Sequence, residues 1–313
     1  MQSTRTDLAM ETAAGLEQER NGIEVTEENI EDILVTRVRI YNEAGAQSIG
    51  KPIGNYITIE TEELLNNNMY AKELVSRVLS EEITRLKPAG EYETLVVGLG
   101  NRFVTSDSLG PRVMDKLLVT RHLLQTMPQE VDDRICSVSA LSPGVLGITG
   151  IETGEIIEGV IAMTKPGLVV TVDALAARSI KRICTTIQIA DTGIQPGSGV
   201  GNNRRHIDEK TLGVPVLAIG VPMVVYASTI VWDTISSLFW DNDNNERTYD
   251  NKVLDREAID HITQLLAHQE STLVVTPKDV DAYVQGAAQA IADGLNLSLH
   301  AGVLLDEFRM INP

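Results

Sequence analysis

Between Ile33 and Tyr41 apolar and polar residues alternate as Val35-Thr36-Arg37-Val38-Arg39-Ile40, a period of two that predicts a half-buried strand. The stretch Gly50-Lys51-Pro52-Ile53-Gly54-Asn55 is turn chemistry, and residues 56–60 read as the partner strand. From Met69 to Leu86 the period becomes helical, with Leu74, Val75, Val78 and Leu79 on one face. The apolar runs at 94–98 and 168–173 predict buried parallel strands; further strands are predicted at 135–141, 187–190 and 214–220. Pro111 suits a helix first turn, which predicts a helix from there to about Gln125. Further helices are expected near 152–163, 227–239, 254–268 and 277–297, with a strand at 272–275. Residues 1–32 are polar and acidic and predict a mobile start; residues 241–246 predict a solvated loop.

Strands alternating with helices argue for an α/β fold, a mainly parallel twisted sheet with helices on both faces, preceded by a small β-containing extension. No repeat or linker divides the 313 residues, which can bury a substantial core. Net charge is −18, which disfavours nonspecific nucleic-acid binding. No apolar run reaches 18 residues, so no membrane span is expected, and Met1-Gln2-Ser3-Thr4-Arg5-Thr6-Asp7 lacks a signal core. Cys136 and Cys184 are too few for a disulfide framework and read as reduced core thiols.

Two acids stand out. Asp107 follows the strand at 94–98, and Asp173 closes the strand at 168–173. Ligands gather at the carboxyl ends of parallel strands, and two carboxylates meeting there share a proton. Either acid is equally readable as a turn former or a helix N-cap. Asp107 precedes the helix at Pro111, whose dipole favours the ionised form. Gly98-Leu99-Gly100-Asn101 lacks the third glycine of a dinucleotide fingerprint, since Phe103 stands there. The Gly-rich stretch from Gly193 ends in Arg204 and Arg205 without the Lys-Ser/Thr of a phosphate loop. It reads as a surface loop or as a cleft wall whose arginines meet acidic side chains. The five histidines show no zinc-protease spacing, and no serine lies in a nucleophile elbow.

Leu95-Val96-Val97-Gly98-Leu99-Gly100-Asn101, Leu109-Gly110-Pro111, Thr120-Arg121-His122-Leu123, Pro143-Gly144-Val145 and Asp173-Ala174-Leu175-Ala176-Ala177-Arg178-Ser179 occur in order. So do Pro196-Gly197-Ser198-Gly199-Val200-Gly201-Asn202, Val274-Val275-Thr276-Pro277-Lys278 and Gly294-Leu295-Asn296. Over about residues 4 to 300 this wording resembles the germination protease family of spore-forming bacteria. The resemblance implies an aspartic-type endopeptidase that degrades small acid-soluble spore proteins, with Asp107 and Asp173 as its acids. It implies a homotetramer in the forespore or spore core, without cofactor or metal, on an architecture like that of hydrogenase maturation peptidases and phosphorylase-hydrolase-like proteins. Thr6-Asp7-Leu8-Ala9-Met10-Glu11 resembles the family's self-processing site. That implies a zymogen with residues 1–7 as propeptide, residues 8–313 as a single peptidase domain, and a cut between Asp7 and Leu8. The chain departs from the expected pattern at Tyr226, where an Asp is anticipated. Rival readings are a nickel-dependent hydrogenase-maturation-type peptidase and a catalytically silent scaffold that binds spore proteins.

Overall fold

The computed structural model describes residues 7–8, 10, 19–20, 22–65, 69–195, 205–227, 229–230, 234, 273–300 and 302. In chain order the elements are β1 (Glu19–Arg20), β2 (Ile23–Ile30), β3 (Ile33–Ile40), α1 (Glu43–Ile49), β4 (Gly54–Glu60) and α2 (Met69–Leu86). Next come β5 (Thr94–Gly98), a 3-10 turn at Thr105–Asp107, α3 (Leu109–Met114), α4 (Arg121–Thr126) and β6 (Val138–Leu141). Then follow α5 (Leu146–Thr149), α6 (Thr153–Thr164), β7 (Leu168–Ala177), β8 (Thr186–Ala190), α7 (Glu209–Leu212), β9 (Val216–Tyr226), β10 (Val274–Val275) and α8 (Val280–Leu299).

One ten-stranded sheet runs β1-β2-β3-β4-β8-β9-β7-β5-β6, with β10 on β9. The α/β class holds, but the pairing is mixed. Parallel pairing is confined to β6, β5, β7 and β9; helices lie between β5 and β6 and between β6 and β7, while the connection from β7 to β9 passes through β8. The remaining strands pair antiparallel, because β2, β3 and β4 form a meander and β8 turns back onto β9. The β-containing extension is therefore continuous with the main sheet.

Both sheet faces are covered. On one, α2, α3 and α8 bury Val75, Leu79, Ile83, Val113, Ala288 and Ile291 against Val96, Val170, Val172, Ile187, Ile189 and Ile219. On the other, Ile157 of α6 closes over Leu95, Val97, Leu99, Val169 and Val216. The alternation of Val169 and Val170 onto opposite faces fixes the orientation of every later residue of β7. Arg37 of β3 reaches the buried Glu82 of α2 through Nε at 3.1 Å and Nη2 at 2.5 Å, tying the meander to the helical layer.

Several sequence expectations need correction. The start of the chain is not wholly mobile, since Ile23–Ile30 is a strand paired along its whole length with β3. Its mostly exposed, charged residues hid the alternation. The helix expected from Pro111 to Gln125 is two short helices. Between them Leu118 N–H donates to Asn296 Oδ1 at 3.0 Å, and Thr120 Oγ1 accepts from Val138 N–H at 2.9 Å, so the segment bonds to its neighbours instead of to itself. Strands β7 and β9 run beyond Asp173 and Gly220 because their extensions pair with each other. The expected helix at 254–268 and the loop at 241–246 lie outside the described residues; within 227–239, residues 227, 229, 230 and 234 are helical.

Candidate functional site

Strand register brings the site together. Asp173 of β7 and Gln188 of β8 both pair with Gly220 of β9, so the three form one row across the sheet. The row faces away from Val172, Ile187, Ile189 and Ile219, which turn to the α2–α8 layer. Between the two polar side chains, Gly220 is covered by the side chain of Leu175. A Cβ there would stand 2.5 Å from Leu175 Cγ and Cδ1, so Leu175 requires the glycine.

Asp173 is 7% exposed and lies inside a strand, which removes the turn and N-cap readings for it. Its Oδ1 accepts from Ala174 N–H at 2.9 Å. Asp107 ends the 3-10 turn that packs on β7 and β9. The helix that follows is only six residues long, and the Asp107 carboxylate accepts from Asn101 N–H at 2.8 Å. Asn101 is held close by Gly100, whose φ is +103° and where a Cβ would lie 2.1 Å from the Asp107 carbonyl oxygen. Gly98 pairs with Val172, and Leu99 N–H donates to Val172 O at 2.8 Å. The Gly100–Asn101 backbone that holds Asp107 therefore runs on beside Asp173. Asp173 thus lies in the carboxyl-terminal half of β7, and Asp107 ends a turn beyond β5 that packs on α8 as well as on β7 and β9.

The third predicted feature lies along the same strand. Asp7 N–H donates to Ala176 O at 3.1 Å, and Ala176 N–H returns a bond to Asp7 Oδ2 at 2.9 Å. The Asp7 carbonyl oxygen accepts from Lys51 Nζ at 3.0 Å and from Gln188 Nε2 at 3.1 Å. Leu8 is fully buried against Leu175 and Ala177, with Ile194 beside it. Asp173, Leu175 and Ala177 alternate onto one face, so Leu8 rests on the face that carries Asp173. The Asp7–Leu8 bond thus lies against β7 with its acidic side chain, carbonyl oxygen and apolar side chain each engaged separately.

Sequence reading missed Lys51, Gln188 and Ala176. Lys51 looked like any turn residue. Gln188 carried a readable signal, an amide in the otherwise apolar-and-threonine strand Thr186-Ile187-Gln188-Ile189-Ala190. Arg205 is exposed and ion-pairs with Glu158 of α6 at 2.9 Å, while Arg204 lies outside the described residues. Tyr226 is buried at the end of β9 against Ala176 and Val224, so it braces the strand that binds Asp7. Both cysteines are free; burial pushes the Cys184 thiol up to about 12, whereas Cys136 is only half-buried. His300 is fully buried beside Cys136 N–H, away from the two acids. Among the described residues no three of His, Cys, Asp and Glu gather as metal ligands would.

A family profile described as "Germination protease" matches residues 4–253 and 251–312. The chain belongs to the germination protease family. A germination protease of Caldanaerobacter subterraneus subsp. tengcongensis is 47% identical over 98% of this chain and 97% of its own. One from Clostridium perfringens is 43% identical over 98% of each chain. One from Bacillus cereus is 41% identical, covering 95% of this chain and 94% of its own. Among solved structures, a NiFe hydrogenase maturation protease from Thermococcus kodakarensis KOD1 matches 47% of this chain and 80% of its own, at 23% identity and a TM-score of 0.30. Membership of the germination proteases makes the chain a peptide hydrolase. No helix among the described residues is long and apolar enough to cross a membrane.

Proposed function

We propose that this germination protease is a self-processing zymogen that degrades small acid-soluble spore proteins with a pair of aspartates, Asp107 and Asp173. The supporting observation is the docking of Asp7 and Leu8 on the carboxyl-terminal half of β7, the strand that carries Asp173. An acidic residue before the bond meets the Ala176 N–H, and a bulky apolar residue after it fills the Leu175–Ala177–Ile194 pocket. These contacts support a preference for an acidic residue followed by an apolar one. Residues 1–7 are then the propeptide and residues 8–313 the peptidase domain.

In the reaction a water attacks the carbonyl carbon of the acidic residue. The ionised aspartate takes a proton from that water, and the protonated one donates to the carbonyl oxygen. The carbon–nitrogen bond then breaks, the amine leaves with a proton, and the pair returns to one shared proton. Two neighbouring carboxylates resist joint ionisation, so they titrate as a pair and acidification favours the singly protonated, working form. On this reading Arg204 and Arg205 meet acidic substrate side chains, Arg205 by exchanging its pairing with Glu158. The working assembly on this reading is a homotetramer in the spore core, and with a net charge of −18 it meets its substrates off the DNA.

The test is incubation of the chain with a small acid-soluble spore protein beside Asp107→Asn and Asp173→Asn, with products read by mass spectrometry. Cuts after acidic residues, lost in both variants, support the reading. Cuts that persist in either variant refute it, and binding without turnover by the unmodified, trimmed chain points to a scaffold.

A further inference from the structure

The geometry points to Lys51 and Gln188 as catalytic residues that hold the negative charge developing on the scissile carbonyl oxygen. This rests on the two-acid reading of the site and adds to it. Peptide hydrolysis converts a planar carbonyl into a tetrahedral centre with an oxyanion, and fixed donors aimed at that oxygen are worth more than any other single group. Here the oxygen of residue 7 already has two. Lys51 Nζ stands 3.0 Å away and Gln188 Nε2 3.1 Å away, within the span over which such donors act. One donor carries a full positive charge, so the bond strengthens as charge grows on the oxygen.

Both donors are fixed by the surrounding structure. Gln188 is 9% exposed, inside a strand paired on both sides, and shares its cross-strand row with Asp173 across side-chain-less Gly220. The spacing between neighbouring strands puts the Gln188 and Asp173 Cα atoms about 10 Å apart. The carbonyl oxygen held by Gln188 lies on the sheet face that carries Asp173, since Gln188 and Asp173 share that row and Leu8 packs on Leu175 and Ala177. Lys51 projects from the turn after α1. Gly50 ends that helix at φ +72°, and the turn is pinned when the Tyr56 phenol donates to Pro52 O at 2.9 Å. Asn55 N–H also donates to Asp191 Oδ1 at 2.8 Å, tying the turn's far end to the residue after β8. The donors thus come from two elements that meet only when β4 pairs with β8.

The division of labour follows. The ionised aspartate activates water, and Lys51 and Gln188 polarise the carbonyl and carry the oxyanion. The protonated aspartate then has to complete that stabilisation and not supply all of it. Nothing beyond water is consumed, since the proton taken from water leaves with the new amine.

The test uses the full chain and follows Asp7–Leu8 cleavage in time by mass spectrometry for the unmodified protein, Lys51→Met, Lys51→Arg, Gln188→Leu, Asp107→Asn and Asp173→Asn. Hydrogen exchange at the Asp7 amide is read in parallel, because its bond to Ala176 O reports whether the segment is still docked. Lys51→Met and Gln188→Leu are each expected to slow cleavage roughly 100-fold or more, with Asp7 exchange unchanged and partial recovery in Lys51→Arg. Should Gln188→Leu fail to fold, the half-buried Lys51→Met decides alone. Cleavage within about twofold of the unmodified chain in Lys51→Met, with both aspartate variants inactive, overturns this inference and leaves the two-acid reading standing. Slower cleavage accompanied by equally faster Asp7 exchange also overturns it, since the residues then only hold the segment. Loss in Lys51→Met with full activity in the aspartate variants keeps the donors and removes the two acids. Failure of the unmodified chain to cut there at any pH overturns both.

Discussion

Leu8 is completely enclosed by Leu175, Ala177 and Ile194, so truncating it asks how firmly the N-terminal segment is held. Leu8→Ala removes three buried carbon groups. At about 0.8 kcal/mol for each, the lost transfer energy is about 2.4 kcal/mol. Deeply buried leucines lose about 2 to 5 kcal/mol in this change, the upper end arising where the cavity cannot collapse. Taking the transfer term alone gives the lower figure. With a factor of ten for every 1.4 kcal/mol, the undocked population rises about 50-fold. Hydrogen exchange at the Asp7 amide reads this directly, because that amide bonds to Ala176 O only in the docked state. Leu8 is a small part of the buried core, so the thermal midpoint of the whole chain is expected to move far less than the exchange rate. Exchange within about twofold of the unmodified chain would mean that the polar contacts of Asp7 hold the segment without Leu8, and the argument from burial would fail.

Gly100→Ala is expected to abolish cleavage with only modest destabilisation, measured by peptide turnover and thermal melting; full activity would show that the 2.1 Å clash with Asp107 is relieved elsewhere. Arg37→Met strands the buried Glu82 carboxylate with the more distant Arg85 at 3.5 Å, and should cost about 3 kcal/mol in urea denaturation; a loss below about 1 kcal/mol would refute it. Burial pulls the His300 imidazole down to about 4, so the unfolded chain binds a proton near pH 6.5 that the folded chain refuses. Stability from this group is complete above pH 6.5 and is lost as pH falls towards 4, by about 3 kcal/mol; urea midpoints of His300→Asn should fall less over that window, and an equal fall would remove the group from the account. Self-cleavage between Asp7 and Leu8 should quicken on mild acidification before that loss sets in, and an alkaline optimum in a mass-spectrometric time course would contradict the shared-proton pair.

The sequence pattern was most legible where periodicity and burial agree. Met69–Leu86 and Thr94–Gly98 appear where the apolar spacing puts them. The strand Ile23–Ile30 was hidden because Glu24, Glu27, Glu28 and Asn29 leave it only sparse apolar marks, and its stability comes from pairing with β3. Strand direction was less legible still: nothing local in Thr186–Ala190 says that it turns back against β9, and this choice makes the sheet mixed. Of the proposed site, Asp107, Asp173, Asp7 and Leu8 were singled out in the sequence because the wording around them resembles the family. Lys51 and Gln188 could not, since their nearness to residue 7 exists only after strands more than a hundred residues apart have paired.

That pairing of β4 with β8 also sets an order in time. Asp7 leaves the ribosome early, Lys51 soon after, but Ala176 and Gln188 come only past the middle of the chain. Roughly 125 residues separate the end of β4 from the start of β8, about 6 to 25 s of synthesis. Through that interval the buried edge of β4, Tyr56-Ile57-Thr58-Ile59, has no permanent neighbour on its β8 side, and the nascent chain is most exposed there to sticking to others. The seat for residue 7 is likewise incomplete until β8 and β9 have emerged, so under the proposed self-processing the order of translation would keep the Asp7–Leu8 bond uncut until most of the molecule is made.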